Sequence, residues 1–479
     1  MGSIGLWIGT LIIIWISHWI YGWRKRRWHG QLPPGSMGFP VVGETVSFFQ
    51  PHTSVDIHPF VKKRMERYGP IFKTNLVGQP FIISADPDLN HFIFQQEGRL
   101  FQSWYPDTFT EIFGRQNVGS IHGFMHKYIK SLILSLFGVE SLKEHLLPEI
   151  NRFAHTTLTS WSGQPSIEVK DATAAMIFEL TAKKLISYDP ITCSSNLREN
   201  FVAFIEGLIS FPINIPGTAY YKCIQGRKNV MRVLKKMIEE RCSSPERRKG
   251  DFFDRVIDEL QKDRSMLTEA IALDLIFALL FASYETTSLA LTMAIKYLSE
   301  HPQVLDKLTE EQEGILKRRE NPDDGITWEE YKSMTFTSQV INETVRLAHI
   351  APGIFRKAME DFKIKGYTIP AGWAIMVCPP AVHLNPDIKS SARFTQDQSH
   401  LLLLIGGVDT NVGSKNFMAF GGGMRFCVGA NFSKLQMMVF LHHLVTKYRW
   451  SLVKGGDIVR TPGLTFPNGL HIRLFPKNK

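Results

Sequence analysis

Cysteine is scarce and scattered in this chain. Its 479 residues hold five, Cys193, Cys223, Cys242, Cys378 and Cys427, an odd number with no Cys-x-x-Cys pair. That pattern argues against a disulfide framework and suits a reducing, cytosolic setting. Evidence for nucleic-acid binding is equally thin. Lys and Arg outnumber Asp and Glu by 55 to 45, but they are spread along the chain with no zinc-finger spacing and no basic–aromatic repeat. The net charge of +10 points instead to an acidic partner or an anionic membrane surface. Internal repeats and long low-complexity runs are missing beyond residue 40, as is any composition shift that would mark a second domain. A hydrophobic content of 44% is enough to bury a large core and still enclose a bulky apolar ligand.

The first long hydrophobic run is at the start. Ile4 to Trp23 is apolar apart from Thr10, Ser17, His18 and some glycines, and Arg24-Lys25-Arg26-Arg27 follows at once. The length suits a helix crossing a bilayer, and the basic flank predicts that the body of the chain stays cytosolic. A cleaved signal peptide is the rival. It is disfavoured because the charges come after the apolar run, with no small-x-small cleavage site before them. Residues 1–29 are therefore expected to form a single-pass membrane anchor. Residues 30–44, with Leu32-Pro33-Pro34-Gly35-Ser36-Met37-Gly38-Phe39-Pro40, read as a stiff proline-rich hinge before a body at 45–479.

The body reads as mainly α with a minor β portion. Leu76 to Ser84 has strand character ahead of an Asp86-Pro87 turn. The strongest helical pattern runs from about Thr268 to Ser299, with Thr268 as a capping residue and Leu275, Ile276, Leu279 and Leu280 at helical spacing. A helix so apolar on most faces should run through the centre of the protein. After Arg346, short strands are expected at Phe355–Ala358, Phe362–Ile364, Tyr367–Ile369 and Ala374–Val377, and Phe432 to Lys447 is helical again.

Cys427 alone has telling neighbours: Phe420-Gly421-Gly422-Gly423-Met424-Arg425-Phe426-Cys427-Val428-Gly429. A metal-bound thiolate on a flat macrocycle needs a backbone loop that can approach closely, and glycines permit this. Loop amides can hydrogen-bond the sulfur, and the positive end of the following helix favours thiolate over thiol. Arg425 is placed to pair with an anionic group, and Phe420 to shield the sulfur from water. The bland reading is a glycine-rich loop beside a buried, inert cysteine.

This loop resembles that of the cytochrome P450 family, Phe-x-x-Gly-x-Arg-x-Cys-x-Gly, at every fixed position: Phe420, Gly423, Arg425, Cys427 and Gly429. Two further motifs occur in family order. Glu343-Thr344-Val345-Arg346 matches the Glu-x-x-Arg pair, and Ala282-Ser283-Tyr284-Glu285-Thr286-Thr287 matches the acid–alcohol motif, except that Ser283 replaces a glycine. Without the resemblance, the first would be an ordinary helix ion pair and the second a polar patch at a helix contact.

The resemblance implies a P450 fold holding haem b (iron protoporphyrin IX), with Cys427 as the proximal ligand of the iron. It implies a reaction with O2, fed by electrons from NADPH through NADPH-cytochrome P450 reductase at the endoplasmic reticulum membrane. Glu285 would relay protons, and Thr286 would hydrogen-bond bound dioxygen at a distortion of the central helix. Arg425 and Arg356, with His126 and Lys130, would face the propionates. Glu343 and Arg346 would form a buried structural pair completed by a third partner. Ala278, Ala282, Ile350 and Phe466 would line the substrate pocket.

The overall pattern looks most like plant enzymes that oxidise steroids and triterpenoids. The chain departs from the family after His383-Leu384-Asn385-Pro386, where a Pro-x-Arg-Phe element is expected. Lys389-Ser390-Ser391-Ala392-Arg393-Phe394 and an apolar run stand there instead. Arg393 is the candidate third partner. An altered 387–410 segment leaves room for a haem-less or inactive membrane protein. Two other readings do not depend on that segment: a peroxide-rearranging member of the family, which the retained Glu285-Thr286 pair argues against, and a lipid carrier that uses the pocket without chemistry.

Overall fold

The computed structural model describes Thr10 and residues 30–40, 42–53, 56–189, 197–321, 324–385 and 414–477. The expected anchor, apart from Thr10, and the departing segment with Arg393 lie outside the described residues.

Helices dominate, and the longest, Glu269–Glu300, runs through the main core. Thr268 caps it as expected, its hydroxyl accepting from the Ile271 amide at 3.3 Å. By length and composition this helix could cross a membrane. Here it is the central core helix, with Leu275, Ile276, Phe277 and Leu280 fully buried. The helices Val169–Ile186, Thr335–Ala348 and Ala430–Lys447 pack against it. The last begins two residues ahead of the expected start, with Gly429 at its N-cap.

A five-stranded sheet flanks this helical body in the order Ile71–Leu76, Gln79–Ser84, Ala374–Val377, Ile354–Ala358, Phe101–Ser103. The single strand expected at Leu76–Ser84 is instead the second half of a hairpin, with Ile71 opposite Ser84 and Leu76 opposite Gln79. Val77 and Gly78 turn the chain, both at positive φ (54° and 75°), the geometry of a tight two-residue hairpin. The four later strands stand where the sequence places them, to within a residue. Tyr448–Gly455 and Leu470–Pro476 pair with each other, the latter also with Ile167–Glu168, and were not anticipated.

The proline-rich hinge does not stand free of the body. Pro34 accepts from the Lys73 amide at 2.8 Å, and the Lys73 ammonium donates to the Pro33 carbonyl at 3.0 Å. A Cβ at Gly35 would come within 2.0 Å of the Lys73 carbonyl oxygen, so glycine is what lets the hinge lie along the first strand.

Candidate active site

The loop before Ala430–Lys447 is shaped by its glycines. Gly421 and Gly423 have positive φ (75° and 61°), and a Cβ at Gly423 would meet the Phe94 carbonyl oxygen at 2.1 Å. Gly422 is extended but would strike the Phe94 ring, whereas Gly429 has open space and ordinary φ. Close approach therefore constrains two of the four glycines and backbone angle constrains two, with Gly423 in both sets. The Cys427 amide donates to the Phe420 carbonyl at 3.0 Å, closing the loop. Burial pushes the Cys427 thiol up, while the backbone amides of Gly429 and Ala430 and the Lys130 ammonium act in the opposite direction, towards thiolate. The side chain carries accessible area although protein surrounds it on nearly all sides, so the sulfur faces an internal space.

On the central helix, Ala278, Ala282 and Thr286 are spaced by four residues and lie on one face. All three carry accessible area, while Leu280, Tyr284 and Thr287 around them are buried. A stripe of this kind inside a core helix also opens on an internal space. The helix is α throughout, without the expected distortion, and the Thr286 hydroxyl donates to the Ala282 carbonyl at 2.8 Å. Bonding back to the i−4 carbonyl satisfies the hydroxyl without opening the helix. Glu285 reaches sideways to Lys170, 2.9 Å away on Val169–Ile186. Aromatic rings crowd the neighbourhood, with Phe113 against Phe281 at 5.2 Å and Phe204 against Phe281 at 5.4 Å. Ile350 and Phe466 pack where the main core meets the smaller one around Met293 and Leu347.

The cationic residues assemble on the cysteine-loop side. Arg425 donates to Glu97 (3.1 Å), the Val118 carbonyl (3.1 Å), the Ile121 carbonyl (2.6 Å) and His122 Nδ1 (2.9 Å). Arg356 Nε lies 2.6 Å from Glu97 Oε2, a close ionic contact that lacks the alignment of a hydrogen bond. Lys130 donates to the Met424 carbonyl at 3.0 Å. His126, buried four residues before it, is pushed down to about 4 by burial and by Arg425 and Lys130. Two guanidiniums thus share one carboxylate, Glu97, and the Lys130 ammonium adds a third positive charge on the same side. A buried excess of positive charge of this kind needs further anions, and the two propionates of a haem fit it.

The Glu343–Arg346 pair is buried, with both contacts at 2.7 Å. Its partner among the described residues is His383, whose backbone carbonyl accepts from Arg346 Nη1. The His383 ring then bridges the Arg346 carbonyl (3.1 Å) and the Met418 amide (3.0 Å), tying the pair to the chain that leads into the cysteine loop. Sequence reasoning missed Glu97, His122 and His383, since nothing local marks any of them. The expected Arg393 contact lies outside the described residues.

Comparison with known proteins gives the same picture. The family model for Cytochrome P450 matches residues 33–471. Cytochrome P450 87A3 of Oryza sativa subsp. japonica is 61% identical, over 96% of this chain and 89% of its own length. Cucurbitadienol 11-hydroxylase of Siraitia grosvenorii is 41% identical over 100% of both chains. A retinoic acid-bound cyanobacterial CYP120A1 superposes with a TM-score of 0.80 at 26% identity, covering 94% of this chain and 100% of its own. A thiol cradle, a striped central helix and a buried Glu–Arg pair thus coincide with a match spanning the chain, which belongs to the cytochrome P450 family of haem b monooxygenases, supplied with O2 and with electrons from a reductase.

Proposed function

We propose that this enzyme hydroxylates or otherwise oxidises a large apolar substrate, a triterpenoid or steroid, at the endoplasmic reticulum membrane. In this reading residues 1–29 anchor the chain, residues 30–44 lead from anchor to body, and the catalytic domain at 45–479 lies in the cytosol. One observation carries the proposal: the accessible stripe Ala278, Ala282 and Thr286 inside a helix otherwise buried among aromatic rings. Two alanines leave space beside the helix, and Phe113, Phe204 and Phe281 supply apolar walls suited to a fused-ring skeleton. The 41% identity to a cucurbitadienol hydroxylase supports the same substrate class.

When bound, haem supplies activation of O2 and insertion of one oxygen atom into the substrate. The protein's part is to hold the group and to manage charge and protons. Cys427 would hold the iron through its sulfur, with the Gly429 and Ala430 amides favouring thiolate. Arg356 and Arg425, with Lys130 and His126, would receive the propionates. Gly423 and Gly429 shape the loop, and Phe420 shields it. Thr286 offers a hydroxyl at the accessible stripe, and Glu285, reached from outside through Lys170, passes protons towards it. Glu343 and Arg346 brace the proximal side. Ile350 and Phe466 close the pocket at the junction of the two cores. NADPH-cytochrome P450 reductase is the electron donor, docking through acidic groups on the basic surface.

The test is the spectrum of the reduced, carbon-monoxide-bound protein, followed by NADPH-dependent turnover of triterpene alcohols. A red-shifted Soret band that Cys427→Ser abolishes supports the reading, and a wild-type protein without haem overturns it. Bound but unconverted triterpenes would favour a carrier, and reductase-free conversion of peroxides a rearranging enzyme.

A further inference from the structure

Among the described residues, Glu97 is the carboxylate that contacts both Arg356 and Arg425, and no motif assigns it a role. It follows the helix Pro87–Gln95, and a tight turn aims it inward. Gly98, at φ +82°, donates to the Phe101 carbonyl at 2.7 Å, and Leu100 donates to the Gln96 carbonyl at 3.1 Å. Oε1 accepts from the Ser103 amide (3.0 Å) and from Arg425 Nε (3.1 Å), while Oε2 faces Arg356 Nε at 2.6 Å. Strand register puts Ser103 directly opposite Arg356, so one carboxylate grips a strand pair and two guanidiniums from distant parts of the chain. Glu97 and Arg356 side chains are each 3% exposed, and that of Arg425 is 11%.

We propose that Glu97 is a positioning residue that aims Arg356 and Arg425 at the haem propionates and, by its own negative charge, lowers the reduction potential of the iron. This rests on the reading of the arginines given above. Two physical effects support it. A guanidinium swings freely on its long side chain, and a fixed carboxylate restricts it to one orientation before the ligand arrives. A buried anion also opposes uptake of an electron nearby, since low-dielectric surroundings screen it poorly.

The experiment uses the full-length, haem-loaded chain and its Glu97→Gln and Glu97→Asp variants. A buried ion pair elsewhere, Arg241 with Asp251, supplies the control Asp251→Asn. Two readouts are the midpoint potential in a redox titration and the rate of haem transfer to excess apomyoglobin. Glu97→Gln removes the charge and should shift the potential to more positive values. Glu97→Asp keeps the charge but is one methylene too short to span both arginines, so its potential should stay near wild type while haem transfer quickens about ten-fold. Asp251→Asn should lower thermal stability and leave both readouts unchanged. A wild-type potential in Glu97→Gln, or wild-type haem transfer in Glu97→Asp, overturns the proposal. If Glu97→Gln yields no holoprotein, the Glu97→Asp transfer rate decides alone. A wild-type chain that lacks the thiolate-type Soret band defeats the underlying haem reading instead, so the two failures are distinguishable.

Discussion

Replacing His383 should damage this fold more than its unremarkable sequence context suggests. Its Nε2 accepts the Met418 amide proton, so Nδ1 carries the ring proton and donates it to the Arg346 carbonyl. Only one neutral tautomer serves both partners, and burial together with Arg346 holds the imidazole neutral, its pKa pushed down to about 3. His383→Ala orphans a buried amide and a buried carbonyl at about 1–3 kcal/mol each, or roughly 2–6 kcal/mol in all. The Arg346–His383 backbone contact survives the change, so Glu343 keeps its partner and the loss comes from the ring alone. His383→Gln can still accept from Met418 but reaches the Arg346 carbonyl less well, and should recover about half of the loss. Urea unfolding of the haem-loaded chain, followed by far-UV circular dichroism, measures all three. A His383→Ala variant within about 1 kcal/mol of wild type would refute this account of how the Glu–Arg pair is joined to the cysteine loop.

Other expectations follow from the same geometry. His383, His442 (about 3) and His126 (about 4) are all depressed below the usual 6.5 by burial. Their stabilising contribution is complete above pH 6.5 and is lost as pH falls towards their folded-state values. Melting temperature should therefore drop on acidification through that window, less steeply in His383→Gln. Gly423→Ala drives a methyl into the Phe94 carbonyl at a left-handed φ, so the loop must move and haem incorporation should fall by more than half, read as haem per protein. Glu285→Gln should cut product formation about 100-fold, in the range typical of a lost proton donor or acceptor, while the reduced carbon-monoxide spectrum stays unchanged. Reductase-supported turnover should decline as salt rises past the point where the Debye length nears 8 Å, at about 0.15 M. Activity indifferent to salt would count against docking on the basic surface.

Much of the site was legible because its chemistry demands residue types at fixed local spacing. The glycine loop around Cys427, the one-turn spacing of Glu343 and Arg346, and the Thr268 cap all depend on near neighbours in sequence. The hairpin at Ile71–Ser84 was half legible: the strand residues were clear, but Val77 is a poor turn former and hid the reversal. The distortion expected over the central helix belongs to a motif in which Ser283 here replaces a glycine. With a side chain there, and with the Thr286 hydroxyl donating back to the Ala282 carbonyl, the helix runs on unbroken.

By itself the sequence determined the mainly helical architecture, the cysteine that carries the chemistry and the family to which the chain belongs, because hydrophobic period and motif spacing are local properties. Only the tertiary structure decided that Glu97 faces two arginines, that Lys170 reaches Glu285, and that His383 ties Arg346 to the cysteine loop. These partners lie between 35 and 328 residues apart. No local pattern records such pairings, and the packing of the core brings them together.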